Sequence, residues 1–166
     1  EKDTQNIQGV IDKISGVIKT HDLRTRKIGG EVLIDVHIQV DSDLTVTEGH
    51  EIAERVRRSL INRYPKTQDV LVHVDAYDDS TVESIYNISR SDVELIVTPL
   101  LSHMVGNFKK TQLRIHHLNG RNIVEIYLHG DRTKTITETE IILKNFKGSL
   151  LENKYIDGVK LYLEVE

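Results

Sequence analysis

The chain has 166 residues, 38% hydrophobic and 29% charged, with a formal net charge of -4 from 22 basic and 26 acidic side chains. The signs are mixed along the chain and form no basic stripe or aromatic run suited to nucleic acid, which excludes that class of partner. There is no cysteine, so disulfides, thiolate metal sites and cysteine nucleophiles are excluded together, and no apolar run reaches the roughly 18 residues of a membrane helix.

The opening EKDTQ carries neither methionine nor a secretory pattern and reads as the edge of a piece cut from a longer protein. Ile7, Val10, Ile11, Ile14, Val17 and Ile18 recur at helical spacing, which predicts an amphipathic helix over 7–18 ending at the turn in KTHDLRTRKIGG. A strand is expected around Leu23 to Arg26. Gly29 and Gly30 read as a turn and not as a phosphate cradle, since no Lys-Ser pair follows them. EVLIDVHIQVDSD alternates, with Ile34, Val36, Ile38 and Val40 on one face and Asp35, His37, Gln39 and Asp41 on the other. LTVTEGHEIAERVRRSLINRYP then opens with a Thr45–Glu48 capping-box pattern. It carries Ile52, Val56 and Leu60 on one stripe and stops at Pro65, with Arg55 to Arg58 on a solvated face. In VLVHVD, Val70, Val72 and Val74 share the apolar face, and Leu71, His73 and Asp75 the other. The order is helix, strand, strand, helix, strand.

The second half repeats this plan. Advanced by 90 positions, LIDVHIQV falls on IVEIYLHG, TEGHEIA on TETEIIL, and Ser59 and Leu60 on Ser149 and Leu150; one deletion later VLVHVD meets VKLYLE. The fold class expected is α+β, two tandem αββαβ modules over 1–77 and 91–166 joined by a linker over 78–90, which is rich in Asp, Ser and Asn. A module of about 80 residues has a modest core, which gives fusion a physical reason. Pro99 either opens the first helix of the second module or kinks one that begins near Asp92.

Four of the eight histidines lie in the first module off the core stripe: His21 at the turn after the first helix, His37 and His73 on polar strand faces, and His50 early in the second helix. Asp75 shares a face with His73. Without thiolates, imidazole and carboxylate are the ligands left for Zn²⁺ and similar divalent ions, and H-x-D on one strand face aims two of them at one locus. A single histidine on a strand is ordinarily a solvated or hydrogen-bonded residue, so the weight rests on the four together. His103, His116, His117 and His129 show no such arrangement and read as structural or surface residues.

Residues 16–75 resemble the cytoplasmic C-terminal domain of the cation diffusion facilitators, or cation efflux transporters, through the HDLRTR turn, the strand ending in HIQVD, the LTVTEGHEIA helix start and the closing VHVD. The resemblance implies a metallochaperone-like module, related to the ferredoxin-like folds, that dimerises in the cytoplasm beneath a transmembrane domain of the same full-length protein in the cell (inner) membrane. It also implies His21, His37, His50, His73 and Asp75 as ligands of one or two ions, with Asp75 able to bridge. The expected ion is Zn²⁺, with Fe²⁺, Co²⁺, Ni²⁺, Cd²⁺ and Mn²⁺ also admitted by the donor set. The second module departs from the pattern: Tyr127 stands for His37, Glu140 for His50, Tyr162 for His73 and Glu164 for Asp75, with His116 or His117 as the stand-in for His21. Tyrosine, with an ordinary pKa near 10, is a poor Zn²⁺ ligand at neutral pH.

The function expected is a regulatory, non-enzymatic metal-binding and dimerisation domain, metal favouring a closed arrangement, with pairing between chains or between the two modules. The rivals are a purely structural dimerisation module, a small-molecule regulatory domain and a metal-dependent hydrolase, in which an open ligand position activates water. No separate general base marks the last of these.

Overall fold

The computed structural model describes residues 2–77, 87–105, 108–130 and 135–165. The elements are α1 (Lys2–Ile11), β1 (Lys19–Ile28), β2 (Glu31–Gln39), α2 (Val46–Arg63) and β3 (Thr67–Asp75), then α3 (Arg90–Met104), β4 (Lys109–Leu118), β5 (Arg121–Gly130), α4 (Ile136–Leu151) and β6 (Gly158–Val165). The chain is α+β with the αββαβ order twice over. It divides into two compact units, Glu1–Thr81 and Val82–Glu166. Of the linker expected over 78–90, residues 78–86 lie outside the described residues; Ser89 caps α3 through its side chain.

In the first unit β1 and β2 form an antiparallel hairpin, and β3 joins β2 in parallel after the α2 crossover, giving the sheet order β1-β2-β3. The second unit repeats this as β4-β5-β6. The hairpin turns need left-handed backbone, supplied by Gly29 and Gly30 (φ 60° and 94°) in one unit and by Asn119 and Gly120 (φ 49° and 74°) in the other. Both crossover helices start on capping boxes. The hydroxyl of Thr45 accepts from the Glu48 N–H while the Glu48 carboxylate accepts from the Thr45 N–H, and Thr135 and Glu138 do the same.

Each unit has its own core. In the first, Ile7 and Ile11 of α1 and Ile52, Val56 and Leu60 of α2 cover Ile34, Val36, Ile38 and Val70 on one face of the sheet. In the second, Val93, Val97, Phe146 and Leu150 pack with Val124, Ile126 and Leu128. The opposite face of the first sheet, carrying Leu33, Asp35, His37, Gln39, Leu71, His73 and Asp75, has no buried residue, because both helices of the unit lie on the other side.

Two expectations are corrected. The first helix stops at Ile11 and does not run to Ile18: single turns follow, Ile14 N–H to Ile11 O and Val17 N–H to Ile14 O, and Gly16 adopts φ 98°. That φ favours glycine, and a Cβ on Gly16 would also lie 2.6 Å from Ile52 Cδ1, so the turn and its approach to α2 both select glycine. Ile14 and Val17 still pack on the core from this turn, which is why their spacing imitated a helix, while Ile18 is 63% exposed. The strand expected at 23–26 spans Lys19–Ile28, so His21 lies in it and not in a preceding turn. Of the two readings of Pro99, the structure keeps the one in which the helix starts near Asp92: α3 begins at Arg90 and Pro99 lies inside it.

Candidate metal centre

The pleat of three adjacent strands builds the site. His21 of β1 stands opposite His37 of β2, and His37 beside His73 of β3, so three imidazoles cross the helix-free face in one row. Asp75 lies two residues after His73 and projects from the same face. A β-bulge places the first member: the register shifts between His21 and Arg24, and Asp22 takes φ 49°, a conformation that aspartate tolerates better than most residues.

His21, His37 and Asp75 each offer a ligand atom, and these atoms lie within 4.8 Å of one another. Asp75 Oδ2 is 2.9 Å from His37 Nδ1 and 3.2 Å from His21 Nε2. The first contact is a hydrogen bond; the second is not aligned for one, and both ring nitrogens of His21 are buried without a hydrogen-bond partner. Leaving buried ring nitrogens unbonded is costly in a fold that has no other use for them. Two imidazoles and one carboxylate, with the buried nitrogens of one imidazole left without a hydrogen bond, fit a divalent cation of the Zn²⁺ type.

His73 enters through its ring and not through a donor contact. Its imidazole stacks on His37 with centroids 4.3 Å apart and planes 11° apart, while His21 tilts against His37 at 5.1 Å and 41°. His50 is not brought to the row. It is exposed on α2, which packs on the Val36 and Val70 face, and it lines a shallow cavity of about 330 Å³ with Asp41, Thr45, Val72 and Val74. Within one chain, therefore, His21, His37 and Asp75 converge, His73 stacks on His37 and His50 stands on the helix side of the sheet.

In the second unit the row reads Gln112, Tyr127, Tyr162. Gln112 takes the place opposite Tyr127 because the bulge of β4 falls one position earlier, between Lys110 and Gln112; His116 and His117 pair with Ile123 and Asn122 farther along, so neither stands in for His21. The stack survives the change of chemistry, with Tyr127 and Tyr162 4.7 Å apart at 16°. Sequence reasoning missed a second cluster on this face: Glu125, 5% exposed, accepts from Lys160 Nζ at 2.9 Å and lies 3.3 Å from His116 Nε2. Burial pushes the Glu125 pKa up, but Lys160 and His116 beside it outweigh that and hold the carboxyl below its ordinary value. Alternation shows that Glu125 shares a face with Tyr127; it does not show that two neighbours seal that face.

Residues 1–77 match the family model described as the cation efflux protein, cytoplasmic domain. Metal tolerance protein C1 of Arabidopsis thaliana is 28% identical over 159 residues, covering 88% of this chain and therefore parts of both units, and 34% of that protein. The cation-efflux pump FieF of Serratia proteamaculans is 42% identical over 71 residues, 41% of this chain and 23% of the pump. Among solved structures, MamM-CTD matches with a TM-score of 0.44 and 28% identity over 46% of this chain and 98% of that one. Variants of MamM-CTD include a nickel form and a cadmium form. The chain spans about a quarter to a third of the length of these curated relatives. No helix among the described residues is long and apolar enough to cross a membrane.

Proposed function

Residues 1–77 being a cytoplasmic domain of the cation efflux family, we propose that the first unit is the metal-responsive part of a divalent-cation transporter, and that it pairs with a second copy of the same face. The carrying observation is the convergence of His21, His37 and Asp75 donor atoms within 4.8 Å, with both ring nitrogens of His21 buried and without a hydrogen bond. His21, His37 and Asp75 hold the first ion, and His73 and His50 offer donors for a second, His50 from a neighbouring copy. A divalent cation bound there supplies the positive charge that Asp75 and the three-strand row lack. The chain's own part is to hold the row open: β1, β2 and β3 fix the imidazoles, and the His37–Asp75 bond sets the ring orientation.

Ligands taken from separate strands and separate copies favour a closed arrangement over an open one, by no more than the difference in metal affinity between the two. The proposed ion is Zn²⁺, with Fe²⁺, Co²⁺, Ni²⁺, Cd²⁺ and Mn²⁺ as competitors for the same His and Asp donors. The test is calorimetric titration of Zn²⁺ into the intact chain and a His37→Ala, Asp75→Ala variant, with mass and radius followed by light and X-ray scattering. Binding with compaction in the first and neither in the second is expected; equal heats in both would sink the assignment.

A further inference from the structure

Beside the histidine row of the first unit lies a second row, Arg24, Asp35 and Leu71; the same places in the second unit hold Arg114, Glu125 and Lys160. Among the described residues Asp35 has one cationic partner, Arg26, whose place in the second unit is taken by His116. Glu125 accepts from Lys160 Nζ at 2.9 Å and from the Tyr127 hydroxyl at 3.5 Å, and His116 Nε2 lies 3.3 Å away without the alignment of a hydrogen bond. The Arg114 guanidinium lies over the Tyr127 ring at 5.2 Å, and Tyr127 stacks on Tyr162. The exchange of Leu71 for Lys160 thus adds a cation to the face at the strand that, in the first unit, carries His73 and Asp75.

A carboxylate sheltered like Glu125 is costly without a cation beside it. An ion from solution can be removed by a chelator; an ammonium on the side chain of Lys160 cannot. We propose that Lys160 is an internal cation that keeps the helix-free face of the second unit in a fixed, metal-independent state, so that divalent ions act on the first unit alone. The tandem chain then joins one switchable copy to one constant copy. The switchable half rests on the metal reading of the first unit; the constant half rests on Glu125 and its partners.

The experiment is hydrogen exchange on the intact chain, resolved by strand, for wild type, Lys160→Leu and Lys160→Arg, each with Zn²⁺ and with EDTA. In wild type, Zn²⁺ should slow exchange in β1 to β3 and leave β4 to β6 unchanged. Lys160→Leu, which installs the residue of the first unit, should speed exchange in β5 and β6 by about tenfold in both buffers, and Lys160→Arg should restore most of it. Should Lys160→Leu unfold the second unit outright, adding Glu125→Gln removes the charge along with its partner. Recovery of protection then supports the internal cation, whereas no recovery means that Lys160 acts by packing and overturns it. Wild-type exchange in Lys160→Leu also overturns it, and protection of β4 to β6 by Zn²⁺ overturns metal independence. Zn²⁺ without effect on either unit sinks the switchable half together with the metal reading of the first, while the lysine variants still decide the constant half.

Discussion

One oxygen of Asp75 faces two imidazoles, His37 at 2.9 Å and His21 at 3.2 Å, whereas His73 meets the row only through its ring. The two residues of the H-x-D pair should therefore differ. Asp75→Asn keeps the shape and removes the charge, and is expected to weaken Zn²⁺ binding at least about tenfold, or ~1.4 kcal/mol. His73→Ala removes a stacking partner worth about 0.5–1.5 kcal/mol and should weaken the first ion less than Asp75→Ala does. Titration of the three variants side by side gives the order, and equal losses from His73→Ala and Asp75→Ala would make His73 a direct ligand of that ion. In the second unit Glu125 should mark the pH dependence. Its folded pKa is depressed, so its stabilisation is present above the ordinary carboxylate value and is lost as pH falls through the folded pKa. Glu125→Gln should flatten the acid limb of the thermal stability curve of that unit; an unchanged limb would show that the carboxylate contributes nothing there. His37, His73 and Asp75 were readable as one face because a strand alternates with period two. His21 was not, since the bulge at Asp22 lies inside a stretch that looks like a turn.

Among the elements, the first crossover helix was the most readable, because the Thr45 cap, the apolar stripe and the stop at Pro65 are local features. Thr45→Ala and Thr135→Ala should each cost about 1 kcal/mol, measured by denaturant unfolding of the unit concerned. The strands that open the sheets were the least readable, because bulge position is decided by cross-strand packing. A shift of one residue in β4 presents Gln112 where β1 presents His21, though both stretches are polar and similarly charged. Asp22→Val should strain the left-handed position by about 1–2 kcal/mol and weaken Zn²⁺ binding with it, since His21 depends on the bulge. Asp22→Gly should keep the affinity. Parallel titrations of the two variants check this, and unimpaired binding in Asp22→Val would separate the bulge from the site.

At the scale of the molecule, the described core residues fall into two clusters, one for each unit, with Leu60 and Leu150 at matching, fully buried positions. Leu60→Ala and Leu150→Ala should each cost about 2–5 kcal/mol and lower different halves of the calorimetric unfolding profile. A single transition shifted equally by both would show the units unfolding as one. The duplication was visible in the sequence because the offset of 90 keeps core residues on core residues: Val36 and Ile38 answer to Ile126 and Leu128, and each pair is buried in the core of its own unit. The divergence of the faces was only half visible, since the loss of imidazoles shows in the letters while the gain of a sealed Glu125 needs the third dimension.

The parallel pairing of β3 with β2 also orders events during synthesis. His21 and His37 meet across a short hairpin, whose local contacts form early, whereas Asp75 arrives only after the α2 crossover has folded back. A growing chain therefore exposes a pair of imidazoles before it owns the carboxylate between them, so the proposed ion would meet a weaker site at the ribosome than the one the finished strand completes.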